Sequence, residues 1–269
     1  MNQSNLNGPV PDHRFLPFLD WHSVRDLEDK ANTPIVLPVG ATEQHGPHLP
    51  TYVDTVIPSE VVGRALAQLD DAIPAYALPA VWCGKSNEHN RFPGTIALRA
   101  ETLIAMLTDI GESLYRSGFR KLIFANGHGG QPQVLDIVAR DLREKYPDFM
   151  VFPWFVWTLA PEARAELPEK ERELGMHAGT AETAIMWALI ERTVKMDRAV
   201  CEYPPETVGG LTPEGALPYA WLAHDVSESG VVGDATAATR ESGERMAELL
   251  IDAWTRAIAT IHEFRMPRE

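Results

Sequence analysis

Four short apolar runs constrain this chain most: PIVLPV (Pro34–Val39), AYALPAVW (Ala75–Trp82), KLIFA (Lys121–Ala125) and FMVFPWFVW (Phe149–Trp157). A run with almost no polar position cannot keep one face in water. It reads as a strand covered on both sides, as in a parallel sheet. Between the runs, apolar residues recur at helical spacing. Val61, Val62, Ala65, Leu66 and Leu69 form one stripe behind Pro58, a residue suited to a first helical turn. Leu103, Met106, Leu107, Ile110 and Leu114 form another, stopped by Gly118. Pro132 opens a helix with Leu135, Val138 and Leu142 on one face. Strands alternating with helices predict βαβ units, right-handed crossovers and a mostly parallel sheet with helices on both faces, an α/β fold.

The remaining elements follow the same logic. Ser23 is placed to cap a short helix ending near Asn32, and Pro161–Leu174 reads as a charged, solvated helical stretch. Thr180 is placed to cap a helix through Val194. A last long helix begins after Asp234 and keeps Met246, Leu250, Ala253, Ala257, Ile261 and Phe264 in register. Residues 1–17 read as an irregular arm and Tyr203–Pro218 as a long loop. No repeat or linker divides the chain, so residues 1–269 are expected to form a single domain.

Charge and composition narrow the partners. With 24 basic and 38 acidic side chains the net charge is −14, which repels phosphate backbones and excludes nucleic acid as a natural partner. The 2 cysteines, Cys83 and Cys201, make no disulfide framework. No stretch reaches the apolar length of a membrane span, and the polar N-terminus lacks the apolar core of a secretory signal. The expectation is a cytoplasmic protein that binds no membrane.

Chemistry-bearing residues gather at strand ends, where open parallel sheets bind ligands. The first run leads into LPVGATEQHGPHLPTYVDT. If this segment stays extended, Glu43 and His45 face one site and Gln44 turns away. Asp54 follows after a proline-stiffened loop. The third run ends in NGHGG, whose glycines permit a sharp turn and leave His128 at the strand tip. A mixed set of imidazoles and carboxylates suits Zn²⁺, Mn²⁺ or Fe²⁺, and two ions bridged by a carboxylate commonly activate water. In MHAGTAET, His177 and Glu182 flank a glycine turn at a helix start. There Glu182 has a bland alternative role, since a carboxylate in a first turn also favours the helix dipole. NGHGG could instead cradle a phosphate, although it lacks the Walker lysine and the GxGxxG spacing.

Together, PVGATEQHGPHLP…D, NGHGG, HAGTAET and GDATAATRESGE resemble the creatininase family (creatinine amidohydrolases and relatives). The resemblance implies a three-layer α/β/α fold and a divalent-metal centre of one or two ions that hydrolyses a C–N bond, often in a homohexamer. By position, Glu43, His45, Asp54 and His128 match the family's metal ligands, with Asp54 as the bridge and Glu182 as a further ligand. His177 matches a histidine that acts on substrate, and Ser86 lies where members contact substrate. Glu88 and His89 lie nearby without an assigned role. Creatininase proper has acidic residues at the positions of Gly130 and Met176, so the resemblance points to the family rather than to creatinine. Other branches deformylate a flavin-type precursor or cut a small modified peptide.

The expected function is metal-dependent hydrolysis of a non-peptide C–N bond in a small-molecule amide, cyclic amide or formamide by a homo-oligomer. His177 would polarise the oxyanion or deliver a proton to the leaving nitrogen. The alternatives are a phosphate- or nucleotide-binding enzyme using NGHGG, and a non-catalytic ligand-binding member of the fold.

Overall fold

The computed structural model describes residues 6–267. In chain order the elements are α1 (Trp21–Asp26), β1 (Pro34–Val39), α2 (Val53–Gln68), β2 (Tyr76–Ala77), α3 (Ala100–Arg116), β3 (Lys121–Asn126), α4 (Pro132–Lys145), β4 (Met150–Phe155), α5 (Glu169–Leu174), α6 (Thr180–Ile190), β5 (Cys201–Glu202), α7 (Ala223–Val226), β6 (Gly233–Asp234) and α8 (Arg240–Glu263).

Four strands form one parallel sheet in the order β2-β1-β3-β4. Its register aligns Val39 with Asn126 and Asn126 with Phe155. Three strands therefore end level, and the loops behind β1 and β3 leave side by side. The ladder continues one step further, since Gly127 N donates to Val39 O at 2.9 Å.

Alternation within the strands builds two cores. Val36, Ile123 and Ala125 point to the face covered by α2, α6 and α8, where Trp254 is fully buried and its Nε1 donates to Val156 O at 3.1 Å. Ile35, Leu37, Val39, Leu122 and Phe124 point to the face covered by α3 and α4. The result is the three-layer α/β/α arrangement. Among the described residues no helix is long and apolar enough to cross a membrane.

Several boundaries differ from expectation. The second run pairs as a strand only at Tyr76–Ala77; Pro79 has no N–H for the ladder, although Leu78 N and Val81 N still reach β1 carbonyls. Asp20, not Ser23, caps α1, accepting from His22 N and Ser23 N. Pro161–Leu174 splits into a 3-10 turn and α5, and α6 stops at Ile190. The last helix starts at Arg240, capped by Thr239, because Asp234 is taken up by β6. The short antiparallel pair β5–β6 has no sequence signature.

Helix α2 begins at Val53, well before Pro58, which lies inside it. Pro58 has no N–H to give to Asp54 O. The backbone of Gly127 closes on that carbonyl: a Cβ there would lie 2.1 Å from Asp54 O and 2.7 Å from Pro58 Cγ. The early start places Asp54 in the first turn of α2, facing the end of β3. The arm before α1 is irregular but packed. Arg14 is buried and donates to the carbonyls of Leu69, Asp70 and Ile73. Residues 1–5 of the arm lie outside the described residues.

Candidate metal centre

The level strand ends bring together Glu43 and His45 behind β1, Asp54 on α2, His128 behind β3 and Glu182 on α6. Asn126 ties off the His128 turn, accepting from His128 N at 3.1 Å and donating to His128 O at 2.9 Å. Glu43, His45, Asp54 and His128 are all buried.

Asp54 divides its oxygens between two groups. Its Oδ2 lies 3.2 Å from His128 Nδ1, and Glu43 Oε2 lies 3.2 Å from that same nitrogen. Its Oδ1 lies 3.3 Å from His45 Nε2, which has Glu182 Oε2 at 3.9 Å. Glu43, Asp54 and His128 could hold one cation, and His45, Asp54 and Glu182 a second.

The hydrogen bonds on the outer sides of the rings set the tautomers. His45 Nδ1 is 3.1 Å from Glu43 O, and His128 Nε2 is 3.0 Å from Lys85 O. Each ring donates outward to a carbonyl, so the opposite nitrogen is the one that faces the carboxylates, with a lone pair whenever the ring is neutral. Among the described residues, Glu43 Oε2, His45 Nε2 and Asp54 Oδ2 are buried without a hydrogen-bond partner. Buried acceptors converging without a hydrogen-bond partner form an arrangement that a cation would satisfy.

The electrostatics of the cluster point the same way. Burial disfavours charge on His45, but Asp54 beside it, with Glu182 and Glu43 beyond, holds the ring up at about 10. Burial likewise opposes charge on His128, and Glu43, Asp54 and Glu88 outweigh it. Burial pushes Glu43 up to about 7 against the pull of His128. It would do the same to Asp54, whose carboxyl is instead held below its usual range by His45 and His128. Burial raises Glu182. The pocket draws in positive charge, and its nitrogen and oxygen donors suit a divalent transition metal.

His177 stands across the centre. Its Nε2 donates to Gln44 O at 2.8 Å, leaving the Nδ1 lone pair inward, 3.7 Å from Glu43 Oε1. Its ring centroid lies 4.3 Å from that of His45. Burial, then the neighbouring His45 and His89, lowers its pKa well below the usual value, so the ring is neutral. The next residue, Ala178, has φ 53°, a left-handed conformation uncommon without glycine. Ala178 N donates to Glu182 Oε2 at 2.6 Å, which holds the turn. Ser86 is buried beside His128, its Oγ 3.4 Å from Nε2.

The roles of several site neighbours were not legible beforehand. Gln44 does not turn away: Gly46, at φ 66°, bends the segment off the sheet, and the Gln44 amide lies 2.9 Å from His89 Nδ1 and 3.1 Å from His177 Nε2. His48 is buried with Nε2 2.8 Å from Thr183 Oγ1, and burial, reinforced by His45, lowers it to about 4. Glu88 Oε1 reaches His128 Nε2 at 3.3 Å and lies where a Cβ on Gly130 would be, 1.9 Å from that position. His89 faces Glu43 Oε1 at 3.3 Å, and burial, then His45, lowers it to about 4. Their place behind β2, at the sheet edge that carries the site, was the one available signal. Glu171, read as part of a solvated helix, is buried and accepts from Thr180 N at 2.7 Å and Asp234 N at 2.8 Å.

Comparison with known proteins gives a consistent result. The sequence model of the family described as "Creatininase: Creatinine amidohydrolase" matches residues 18–258. The chain is 34% identical over 220 residues to the mycofactocin precursor peptide peptidase of Mycolicibacterium smegmatis, covering 79% of this chain and 78% of that one. It is 31% identical to the creatinine amidohydrolase of Pseudomonas putida, covering 91% and 95%. A solved structure titled "Creatininase Mn" superposes with a TM-score of 0.75 at 28% identity, covering 92% of this chain and 98% of that one.

Proposed function

Because the chain belongs to the creatininase family, we propose that it is a metal-dependent hydrolase of an amide-type carbon–nitrogen bond in a small molecule. Asp54 carries the reading: its two oxygens serve two separate donor groups, in which three buried acceptors lack hydrogen-bond partners among the described residues. Glu43, Asp54 and His128 would hold one ion, and His45, Asp54 and Glu182 the other. When bound, divalent ions activate a water molecule and polarise the scissile carbonyl.

The chain's own residues do the rest. His177, neutral and with Nδ1 inward, accepts the proton of the attacking water and passes it to the leaving nitrogen. Glu182 ties the His177 turn to the donor set through Ala178 N. Ser86 forms the wall beside His128, from which it would meet substrate. The relatives named above act, by their names, on a precursor peptide and on creatinine. The peptidase relatives favour a second substrate reading, a short modified peptide. A phosphate site at NGHGG is disfavoured by the Glu88 carboxylate lying against Gly130. The free thiols of Cys83 and Cys201 suit a reducing, cytoplasmic setting.

Elemental analysis combined with a screen of cyclic amides, formamides and short peptides tests the proposal. The expected result is bound transition metal, with turnover that is lost on chelation and restored by Mn²⁺ or Zn²⁺. Protein grown in metal-rich medium that carries almost no metal and is not activated by adding it would overturn the reading.

A further inference from the structure

His89 is 2% exposed and has no part in the chemistry above. A full hydrogen-bond accounting around Gln44 fixes its tautomer. The Gln44 side-chain oxygen accepts from Gly46 N at 2.8 Å, and the amide nitrogen donates to Gly230 O at 2.9 Å. These two bonds set the amide orientation, since a flip would oppose like groups at both ends. Gly230 is shaped for this contact: it has φ 85°, and a Cβ there would lie 2.0 Å from Gln44 Oε1.

One hydrogen remains on Gln44 Nε2, with His89 Nδ1 at 2.9 Å and His177 Nε2 at 3.1 Å. His177 Nε2 is itself 2.8 Å from Gln44 O, which can only accept, so that nitrogen carries its own hydrogen. The remaining Gln44 hydrogen therefore goes to His89 Nδ1. His89 then carries its N–H on Nε2, and Nε2 faces Glu43 Oε1 at 3.3 Å. The other oxygen of Glu43, Oε2, faces His128 Nδ1 and has no hydrogen-bond partner among the described residues.

We propose that His89 is a positioning residue: held in one tautomer by Gln44, it engages Oε1 of Glu43, so that Glu43 offers a divalent cation Oε2 alone. The inference rests on the metal-centre reading above. A one-oxygen ligand keeps the coordination number low and leaves a position open, as hydrolytic sites require. It would also direct the offered oxygen toward His128 and Asp54.

The test measures Mn²⁺ affinity by calorimetry and the paramagnetic resonance spectrum of the Mn²⁺-loaded protein, alongside thermal unfolding of the metal-free protein. His89→Phe keeps a ring and removes both nitrogens; His89→Gln keeps an N–H donor near Nε2. His89→Phe should weaken Mn²⁺ binding by about 10–100-fold, the range for lost outer partners of metal ligands, and alter the spectrum. His89→Gln should recover most of that loss. Gln44→Leu frees the tautomer without touching the His89 ring and should cost about tenfold in affinity. Wild-type affinity and spectrum in His89→Phe, or a loss that His89→Gln does not recover, overturns the inference. A purely packing role would lower the melting temperature and leave affinity and spectrum unchanged. If His89→Phe does not fold, wild-type affinity in Gln44→Leu overturns the inference. A wild-type protein that binds no Mn²⁺ overturns the metal-centre reading together with this inference, a result distinct from a loss confined to the variants.

Discussion

Gly127→Ala and Gly129→Ala, two residues apart in NGHGG, should behave oppositely. Neither glycine has positive φ, so alanine meets no left-handed strain at either position. The difference is space. A Cβ on Gly127 would lie 2.1 Å from Asp54 O and 2.7 and 2.8 Å from the Pro58 ring, whereas one on Gly129 meets nothing within 4 Å. Cβ contacts under 3.0 Å are essentially never tolerated, so the β3 tip and α2 must separate by roughly 0.9 Å or more. Backbone and a proline ring cannot swing aside as a flexible side chain would. Overpacking of this kind costs about 1–3 kcal/mol, and separation by such a gap forfeits roughly a quarter to a half of each contact's dispersion energy. We expect Gly127→Ala to lose about 3 kcal/mol in urea unfolding. The same movement pulls Asp54 Oδ2 away from His128 Nδ1, now 3.2 Å apart. Mn²⁺ affinity, measured by calorimetry on the folded fraction, should fall by about 10–100-fold. Gly129→Ala should stay within about 0.5 kcal/mol of wild type and keep its metal affinity. Equal damage at both positions, or an unaffected Gly127→Ala, would refute the close-approach reasoning and return these glycines to a turn-forming role.

Asp54→Ala should empty both cation positions, whereas His45→Ala should spare the group formed by Glu43 and His128; metal content of the purified variants checks this, and full occupancy in Asp54→Ala removes the bridge. His177→Ala should lose about 10²–10⁴ in kcat with metal content near wild type; normal turnover, or loss of metal instead, contradicts the proton-transfer role. Glu171→Ala leaves Thr180 N and Asp234 N without their acceptor, which should cost about 3 kcal/mol in chemical denaturation at 1–3 kcal/mol per unsatisfied buried donor; a loss below about 1 kcal/mol would mean that water or a rearranged loop replaces the carboxylate. Sedimentation at micromolar concentration should show a homo-oligomer, and a monomer alone would rule that out.

The sheet, and the meeting of Glu43, His45 and His128 at its carboxyl end, were legible in the sequence. Pro34–Val39 and Lys121–Ala125 are apolar at nearly every position, and such runs have few places to go except a covered parallel strand. Once two such strands lie side by side in a parallel sheet, the loops at their carboxyl ends must meet, which is why Glu43, His45 and His128 converge. Residues acting between distant segments left no such trace. Gln44 meets His177 133 positions away and His89 45 positions away. His48 finds Thr183 across 135 positions, and Glu171 joins Thr180 to Asp234. These contacts depend on side-chain direction after the backbone has left its regular element, and no periodicity carries over there. Strand alternation turned Gln44 outward until Gly46 bent the segment, and the usual position of proline placed the start of α2 at Pro58. The structure differs: α2 starts at Val53 with the Gly127 backbone close against Asp54 O and Pro58, and Asp54 in its first turn reaches both histidines. Local hydrophobicity and backbone preference are properties of neighbours in the chain, whereas the direction of a buried hydrogen bond is a property of neighbours in space.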